Sequence, residues 1–107
     1  MSRSSVLEAL VDPRRRDILR LIRTDELPVG EIASHFDVTR GAISQHLSVL
    51  KAAGLVSERR DGTRRLYRVR LQGFAELQEF LDEFWDTRLL HLKRAAESDP
   101  SLRKHRA

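Results

Sequence analysis

The sequence of 107 residues contains no cysteine and little else that would support chemistry or membrane insertion. Without cysteine, neither thiolate metal ligation nor thiol redox sensing is available. No run of about 18 apolar residues is present, and the first residues, MSRSSVLEALVD, lack the apolar segment of a signal peptide. We therefore expect a cytoplasmic protein with no membrane partner. No nucleophile with its base, no metal cluster and no phosphate loop can be assembled, so we expect neither an enzyme nor a cofactor.

Basic residues, in contrast, are abundant and unevenly placed. The whole chain carries a formal charge of +4, whereas residues 38–70 hold eight basic side chains and only two acidic ones. The stretches on either side, 1–37 and 71–97, are slightly acidic. Positive charge gathered on one segment is typical of a nucleic-acid interface and argues against binding of polyanions through the whole surface.

The first part of the chain predicts two short helices that meet at Asp12-Pro13. Ser4 or Ser5 is suited to cap the first helix, while Asp12 is suited to cap the second, with Pro13 at its first position. Arg14 to Arg16 are interpreted mainly as a solvated face, with phosphate contact as the alternative. Apolar residues of both helices are expected to face inward: Val6, Leu7, Leu10 and Val11 in the first, and Ile18, Leu19 and Ile22 in the second.

The middle of the chain predicts a helix-turn-helix. A third helix spans Val29 to Phe36, Asp37-Val38 forms the turn, and Thr39 caps a fourth helix that ends at Gly54. The buried stripe of this fourth helix is expected at Ile43, Leu47 and Leu50, with spacings of i, i+4 and i+7. The opposite face is then free to enter a DNA major groove, and it carries Arg40, Ser44, Gln45, Ser48 and Lys51.

The remainder predicts a β-hairpin and one long helix. Residues 55–60 and 65–71 alternate as strands around an Asp61-Gly62 turn, and Tyr67 and Val69 are expected to pack inward. The helix from Gly73 to Glu97 has an apolar stripe too extensive for one edge of so small a domain. We interpret that stripe, together with the first helix, as a homodimer interface. Its expected residues are Leu7, Leu77, Leu81, Phe84, Trp85 and Leu92.

The groove-facing side chains of the fourth helix suit direct contact with DNA. Arg40 can make a bidentate contact to guanine and Gln45 to adenine, while Thr39 and Ser44 can reach phosphate or base. The alternative is an ordinary solvated helix face. We favour the DNA interpretation because the short helix, the turn, the cap, the buried stripe and the basic hairpin occur together in order.

The arginines of the hairpin allow two interpretations. Arg60 and Arg64, together with Arg59 and Arg65, can follow phosphates or enter a narrow minor groove, where the negative potential attracts guanidinium groups. The alternative is that these charges protect an exposed edge strand from aggregation. We favour phosphate contact.

Two further side chains are more readily explained by structure than by function. His46 lies on the inward edge of the fourth helix, so a structural hydrogen bond is favoured over a role in binding DNA or an effector. Trp85 is favoured as an interface anchor over a ligand platform.

Taken together, the chain resembles bacterial ArsR/SmtB-type winged helix-turn-helix repressors over about residues 5–97. The resemblance rests on ALVDPRRRDILRLI, on ELPVGEIASHFDVTRGAISQHLSVLKAAGLV and on the wing RRDGTRRLYRV. It implies a mainly α fold with a small β-hairpin: five helices and a two-stranded wing, joined as a homodimer through the first and last helices. The two recognition helices would enter successive major grooves of an inverted repeat, about 34 Å apart.

The resemblance also implies positions for DNA contact and a departure from metal sensing. Metal-sensing members carry two cysteines in an ELCVCDL-like motif, where this chain has Pro28 and Gly30, so no metal site is expected. The closing FWDTRLLHLKRAAE resembles a subgroup without metal sites. The DNA-contacting positions are Thr39, Arg40, Gly41, Ser44, Gln45 and Ser48 in the recognition helix and Arg60, Gly62 and Arg64 in the wing.

The sequence therefore predicts a sequence-specific transcriptional repressor that binds double-stranded DNA as a homodimer on an inverted-repeat operator. Residues 1–98 are expected to form the DNA-binding and dimerisation domain, and residues 99–107 a basic, disordered tail. No effector is identified by the sequence. Two alternatives stay open: a winged-helix protein-interaction module that uses the stripe around Trp85, and a nonspecific architectural DNA-binding protein.

Overall fold

The computed structural model describes the backbone of residues 3–98 and the side chains of residues 5–85 and 93–96. The side chain of Leu92, expected in the dimer interface, and the predicted tail at 99–107 lie outside the described part of the chain. The chain divides into two compact units, one ending at Glu76 and the other beginning at Leu77. Among the described helices, none is both long and apolar enough to cross a membrane.

The elements follow the predicted order of a winged helix-turn-helix. In chain order they are α1 (Arg3–Val11), α2 (Pro13–Leu21), β1 (Leu27–Pro28), α3 (Val29–Ser34), α4 (Arg40–Ala52), β2 (Val56–Asp61), β3 (Arg64–Val69), a 3-10 turn (Leu71–Phe74) and α5 (Ala75–Ser98). The strands form one antiparallel sheet in the order β1-β3-β2. The mainly helical fold with a small wing is confirmed, and the sheet has three strands rather than two.

The junction of α1 and α2 confirms one predicted cap and shows the other to be wrong. The Asp12 carboxylate accepts a hydrogen bond of 2.8 Å from the Arg14 backbone N–H, and Pro13 occupies the first position of α2. This is the arrangement that satisfies an otherwise unpaired N–H at a helix start. In contrast, α1 begins at Arg3, so Ser4 and Ser5 lie within the helix and not at its cap.

The predicted inward face of α1 is only partly correct. Val6 is buried, but Leu7 and Val11 are 49% and 74% exposed. The second core residue of α1 is Ala9, which is completely buried where α1 packs on α2 and α4. A small side chain lets neighbouring helices approach closely, so the buried face follows Val6 and Ala9 rather than the largest apolar residues.

The core of the first unit is formed by the predicted stripes of α2 and α4. Both stripes are confirmed, and no polar or charged residue is buried in the described part of the chain. Close packing of branched aliphatic side chains of this kind is the main stabilising contribution in a small domain. The largest fully buried side chains are Ile18, Ile22, Ile32, Ile43, Leu47, Leu50 and Leu55.

Helix α4 ends as predicted at Gly54. The Leu55 N–H donates to the Leu50 carbonyl and the Gly54 N–H to the Lys51 carbonyl, each at 2.9 Å. Gly54 has a φ of +79°. This is the left-handed conformation that the pair of hydrogen bonds requires and that glycine adopts without strain. The chain is thereby turned directly from the recognition helix into strand β2.

The wing differs from the prediction in three details. The two-residue strand β1 pairs with Leu66 and Tyr67 of β3 and was missed because it is short and contains a proline, which an edge strand tolerates. Asp61 pairs with Arg64, so the turn consists of Gly62 and Thr63 rather than Asp61 and Gly62. The buried residue of β3 is Leu66, whereas Tyr67 and Val69 are only half-buried.

The second unit contains the rest of α5, which confirms the predicted long helix. Phe80 and Phe84 pack edge to face, with ring centroids 5.1 Å apart. Leu81, Phe84 and Trp85 are exposed, at 37%, 57% and 46%, and Leu77 is half-buried. The expected interface residues of this helix that are described therefore lie at least partly on its surface.

A glycine contact in the first unit gives a test of the fold. A Cβ built on Gly73 would overlap the carbonyl oxygen of Gly54 and lie 2.6 Å from its carbonyl carbon, so the backbone itself would have to move. We expect Gly73→Ala to destabilise the protein by about 1–3 kcal/mol, measured as a lower denaturation midpoint with an unchanged slope.

Gly41→Ala is the matched control for this substitution. A Cβ at Gly41 would meet only the Thr39 hydroxyl oxygen, at 3.9 Å, inside helix α4. We expect it to leave stability unchanged or to raise it by up to about 1 kcal/mol, as alanine does in helices. Equal midpoints for the two variants would show that Gly54 and Gly73 are not in close contact.

Candidate nucleic-acid interface

The recognition helix α4 presents its predicted face to solvent. The Thr39 hydroxyl oxygen accepts a hydrogen bond of 3.1 Å from the Ala42 N–H and caps the helix, while Ile43, Leu47 and Leu50 fix its rotation against the core. The predicted positions on the other side are all exposed. They are Thr39, Arg40, Gly41, Ser44, Gln45 and Ser48.

Lys51, predicted on the same face, is committed elsewhere. Its ammonium group donates to the carboxylate of Glu58 in β2, which joins the last turn of α4 to the wing. The Tyr67 hydroxyl also hydrogen-bonds this carboxylate, and Arg65 lies 3.9 Å from it. The hydrogen bond from Lys51, followed by that from Tyr67, holds the pKa of Glu58 below its ordinary value. Burial, and then the bond to Glu58, raises the pKa of Tyr67.

A second carboxylate holds the other face of the wing. Glu26 lies in the connector before β1, and each of its two carboxylate oxygens is 2.9 Å from the Arg59 Nε, which donates to them. A terminal nitrogen of Arg59 also lies 2.7 Å from Oε1 of Glu26. This interaction raises the pKa of Arg59 above its ordinary value. Because the planar guanidinium matches a carboxylate in this fork geometry, Arg59 is engaged by the protein itself.

Among the described side chains, Arg60 and Arg64 of the wing take part in no hydrogen-bonded ion pair. Arg64 lies 3.9 Å from Glu31 and 3.6 Å from Asp61, distances of ion pairs rather than hydrogen bonds. Arg60 has no carboxylate within 4.0 Å among the described side chains, and it lies directly opposite Arg65 in the β2–β3 pairing. Like charges opposite each other on a sheet repel, and a bound anion would relieve that repulsion.

The three arginines at the start of α2 have a structural role that the sequence interpretation missed. Arg15 donates to the Ala9 carbonyl at 2.7 Å, and Arg16 donates to the Leu10 carbonyl at 2.8 Å, so both satisfy unpaired carbonyls at the end of α1. Arg14 stacks over the Phe36 ring at 5.2 Å. Arg15 and Arg16 each follow the carbonyl they bond by six residues, across the junction where Pro13 starts α2, and this spacing is the signal that could have indicated the capping.

His46 lies on the inward edge of α4, but the structural hydrogen bond favoured by the sequence is not formed by its ring among the described residues. Its Nδ1 is 4.0 Å from a carboxylate oxygen of Asp12, the residue that caps α2. The pKa of Asp12 is lowered, chiefly by the hydrogen bond from the Arg14 backbone and then by the charge of His46. The imidazole therefore lies near the start of α2 and is not presented with the groove-facing side chains.

Comparison with known proteins gives concordant results. The family model described as "Bacterial regulatory protein, arsR family" matches residues 12–58. The chain is 42% identical over 92 residues to HTH-type transcriptional regulator Rv2034 of Mycobacterium tuberculosis (strain ATCC 25618 / H37Rv), with 86% of each chain covered. It is 41% identical over 59 residues to the transcriptional repressor SdpR of Bacillus subtilis (strain 168), covering 55% of this chain and 66% of that protein.

A solved structure supports the same relationship. The homodimeric winged helix-turn-helix DNA-binding domain of Mb0332 from Mycobacterium bovis, determined by NMR in solution, is 37% identical. It superposes with a TM-score of 0.63 and covers 75% of this chain and 78% of that one. The likeness therefore extends from local sequence to the arrangement of helices and wing.

The interactions of Glu58 predict a contribution to the free energy of unfolding that is lost in acid. Because the folded-state pKa of Glu58 is lowered, its carboxylate stabilises the fold above the unfolded-state pKa, and that stabilisation is lost as the pH falls through the folded-state pKa. We expect Glu58→Gln to be less stable than the unsubstituted protein near neutral pH, and the difference to shrink between about pH 5 and pH 3.

Denaturant unfolding at a series of pH values measures this difference. Glu76→Gln removes the same charge from an exposed position outside the wing and serves as the matched control. A Glu58→Gln deficit that stays constant across the acid range would show that the carboxylate charge is not what stabilises the wing.

Proposed function

This chain belongs to the ArsR family of bacterial transcriptional regulators, and from that premise we propose that it is a homodimeric repressor that occupies an inverted-repeat operator without sensing metal. The family is one of DNA-binding winged helix-turn-helix regulators rather than enzymes. The observation that carries the proposal is the groove-facing surface of α4, where six residues suited to DNA contact are exposed together opposite a fully buried stripe.

Within that surface, Gln45 is the proposed base reader. A glutamine amide can donate to N7 and accept from N6 of adenine at the same time, which distinguishes adenine from the other bases. Ser44 and Ser48 lie on the same exposed face and can bond to base or phosphate, as can Thr39 at the helix start. Gly41 lets the backbone of the first turn approach the DNA closely.

The wing is proposed to follow the DNA backbone beside the groove. Arg60 and Arg64 are its proposed contacts, because neither is held in a hydrogen-bonded ion pair in the described structure. Gly62 lies at the wing tip with a φ of +65°, and a Cβ at this position would have no atom within 4 Å. This open space allows close approach to a phosphate or sugar.

The proposed homodimer is supported by exposed apolar side chains. Leu7 and Val11 are exposed on α1, and Leu81, Phe84 and Trp85 are exposed on α5. Exposed apolar residues concentrated on two helices are typical of a surface that another protein covers. The M. bovis relative is a homodimer. We assign residues 1–98 to the DNA-binding and dimerisation domain, and two copies would place their recognition helices about 34 Å apart.

The proposed lack of a metal response follows from the two positions where the resemblance puts thiolates. Pro28 is a residue of strand β1 and pairs with Leu66. Gly30 lies against the guanidinium of Arg40. Both positions therefore serve other contacts in this chain, and neither has a side chain that could ligate a metal.

Sequence-specific binding is the first expected outcome. In fluorescence anisotropy at about 150 mM salt with a chelator present, where the Debye length is about 8 Å, we expect the protein to bind DNA from upstream of its own gene more tightly than a scrambled fragment. Gln45→Ala should remove about 1–3 kcal/mol of the preference for the upstream fragment. Contacts from the hydroxyl groups of Ser44, Ser48 or Thr39 would not replace a bidentate amide.

Two outcomes would contradict this proposal. Equal affinity for both fragments would indicate an architectural DNA-binding protein, and binding to neither would indicate a protein-interaction module.

Transcription in vitro from a promoter that contains the bound fragment tests the direction of regulation. We expect the protein to lower transcript yield, whereas a higher yield would make it an activator.

Dimerisation is tested by sedimentation equilibrium. We expect a mass twice the 12.4 kDa of one chain, and we expect Phe84→Asp to give the single-chain mass because a buried charge at an apolar interface is strongly unfavourable. Leu71→Asp, at a residue that is 73% exposed but outside the predicted interface, is the control and should remain dimeric. A monomeric unsubstituted protein, or a dimeric Phe84→Asp, would contradict the proposed interface.

A further inference from the structure

We propose that Arg40 binds a phosphate of the DNA backbone rather than a base, and that Gly30 is the residue that permits this by leaving room for the Arg40 guanidinium. The site is a groove between α3, the start of α4 and the wing. It rests on the proposed function, because the phosphate is supplied by the DNA that α4 and the wing contact.

The groove brings together basic residues from separate parts of the sequence. Its volume is about 710 Å³, and it lies within the first unit. Three arginines and one glutamate line it, so the lining carries a net charge of +2. The residues that matter for the proposal are Gly30, Glu31, Arg40, Thr63, Arg64 and Arg65.

The position of Arg40 is set by its contact with α3. A Cβ built on Gly30 would lie 2.6 Å from a terminal nitrogen of Arg40, 2.9 Å from Cζ and 3.1 Å from Nε. The guanidinium plane thus occupies the space that any side chain at position 30 would need. Although Arg40 is the first residue of the recognition helix, its charged group lies against the neighbouring helix, at the edge of the groove.

The electrostatics of the groove favour an anion. Glu31 is the single acidic residue in the lining, and it lies 3.9 Å from Arg64, too far for a hydrogen bond. Arg64 can therefore exchange this weak, exposed ion pair for a phosphate oxygen at little cost. Guanidinium groups bind phosphate through paired N–H donors, and several converging on one groove bind it more strongly than one alone.

In this arrangement two residues of α4, Arg40 and Gln45, have different roles in DNA binding. A contact to phosphate fixes the register and orientation of the protein on the duplex but carries no direct sequence information. Arg40 is accordingly a positioning residue, and the reading of bases falls to Gln45 and its neighbours on the exposed face. Gly30 takes part without touching DNA.

A double-mutant cycle on DNA affinity tests the inference. We expect Arg40→Ala and Gly30→Ala each to weaken binding about tenfold, for the upstream fragment and the scrambled fragment alike. The double variant should bind no more weakly than Arg40→Ala alone, because Gly30 acts only through Arg40. Arg40→Ala should also reduce the slope of log affinity against log salt by about 1.

The variants are designed so that a folding defect is recognised. In Gly30→Ala the atoms that must move belong to the end of a flexible side chain, so we expect an unchanged denaturation midpoint. The matched control is Gly30→Ala combined with Arg60→Ala, an arginine outside the groove lining. These two effects should multiply, as those of independent sites do.

The outcomes separate this inference from the proposed function. If the unsubstituted protein fails to bind DNA, the proposed function itself is wrong. If it binds, but the effects of Gly30→Ala and Arg40→Ala multiply, or Arg40→Ala alters sequence preference, the phosphate assignment is wrong. A titration with inorganic phosphate at constant ionic strength, monitored through the NMR signal of the Gly30 amide, tests whether the groove binds free phosphate. Saturation below about 1 mM would make free phosphate the ligand and overturn the assignment to DNA, whereas no saturation in that range supports it.

Discussion

The burial of three side chains on one side of helix α4 is the interaction on which the rest of the structure depends. Ile43, Leu47 and Leu50 are each at most 2% exposed, and burying a side chain of this size contributes about 1.5–3 kcal/mol. Their spacing allows only one rotation of the helix about its axis. The direction in which Ser44 and Gln45 point is therefore decided by the apolar core and not by the polar residues themselves.

The wing depends on a different kind of interaction, because little apolar surface is available to hold it. Glu26 and Glu58 attach β2 to the connector and to the last turn of α4, and each uses one basic partner to do so. Arginine in this segment thus serves two purposes. Arg59 contributes to the attachment, while Arg60 lies opposite Arg65 across the strands with no carboxylate within 4.0 Å among the described side chains.

Local sequence signals were sufficient for most of the fold. Apolar periodicity located the helices, Asp12 and Thr39 identified two helix starts, and Gly54 identified the end of the recognition helix. The features that were missed join residues distant in sequence, such as the pairing of Leu27 with Tyr67 and the ion pair between Glu26 and Arg59. Periodicity within one element contains no information about such pairs. The buried face of α1 was misassigned for a related reason, since the closeness of α2 and α4 favours Ala9 over larger residues.

For the candidate site, the exposed residues of α4 followed from its buried stripe, but the contact between Gly30 and Arg40 depends on the crossing of two helices.

The contact between Gly30 and Arg40 also constrains how this protein can evolve. Any residue other than glycine at position 30 would place an atom where the guanidinium now lies. A thiolate at that position, of the kind that the family resemblance associates with metal sensing, is therefore incompatible with the present conformation of Arg40. The two positions are epistatic: the effect of a change at one depends on the residue at the other. A lineage that acquires a side chain at position 30 displaces the guanidinium and loses what it contributes to DNA affinity, whereas a lineage that has already lost the arginine acquires that side chain without this loss.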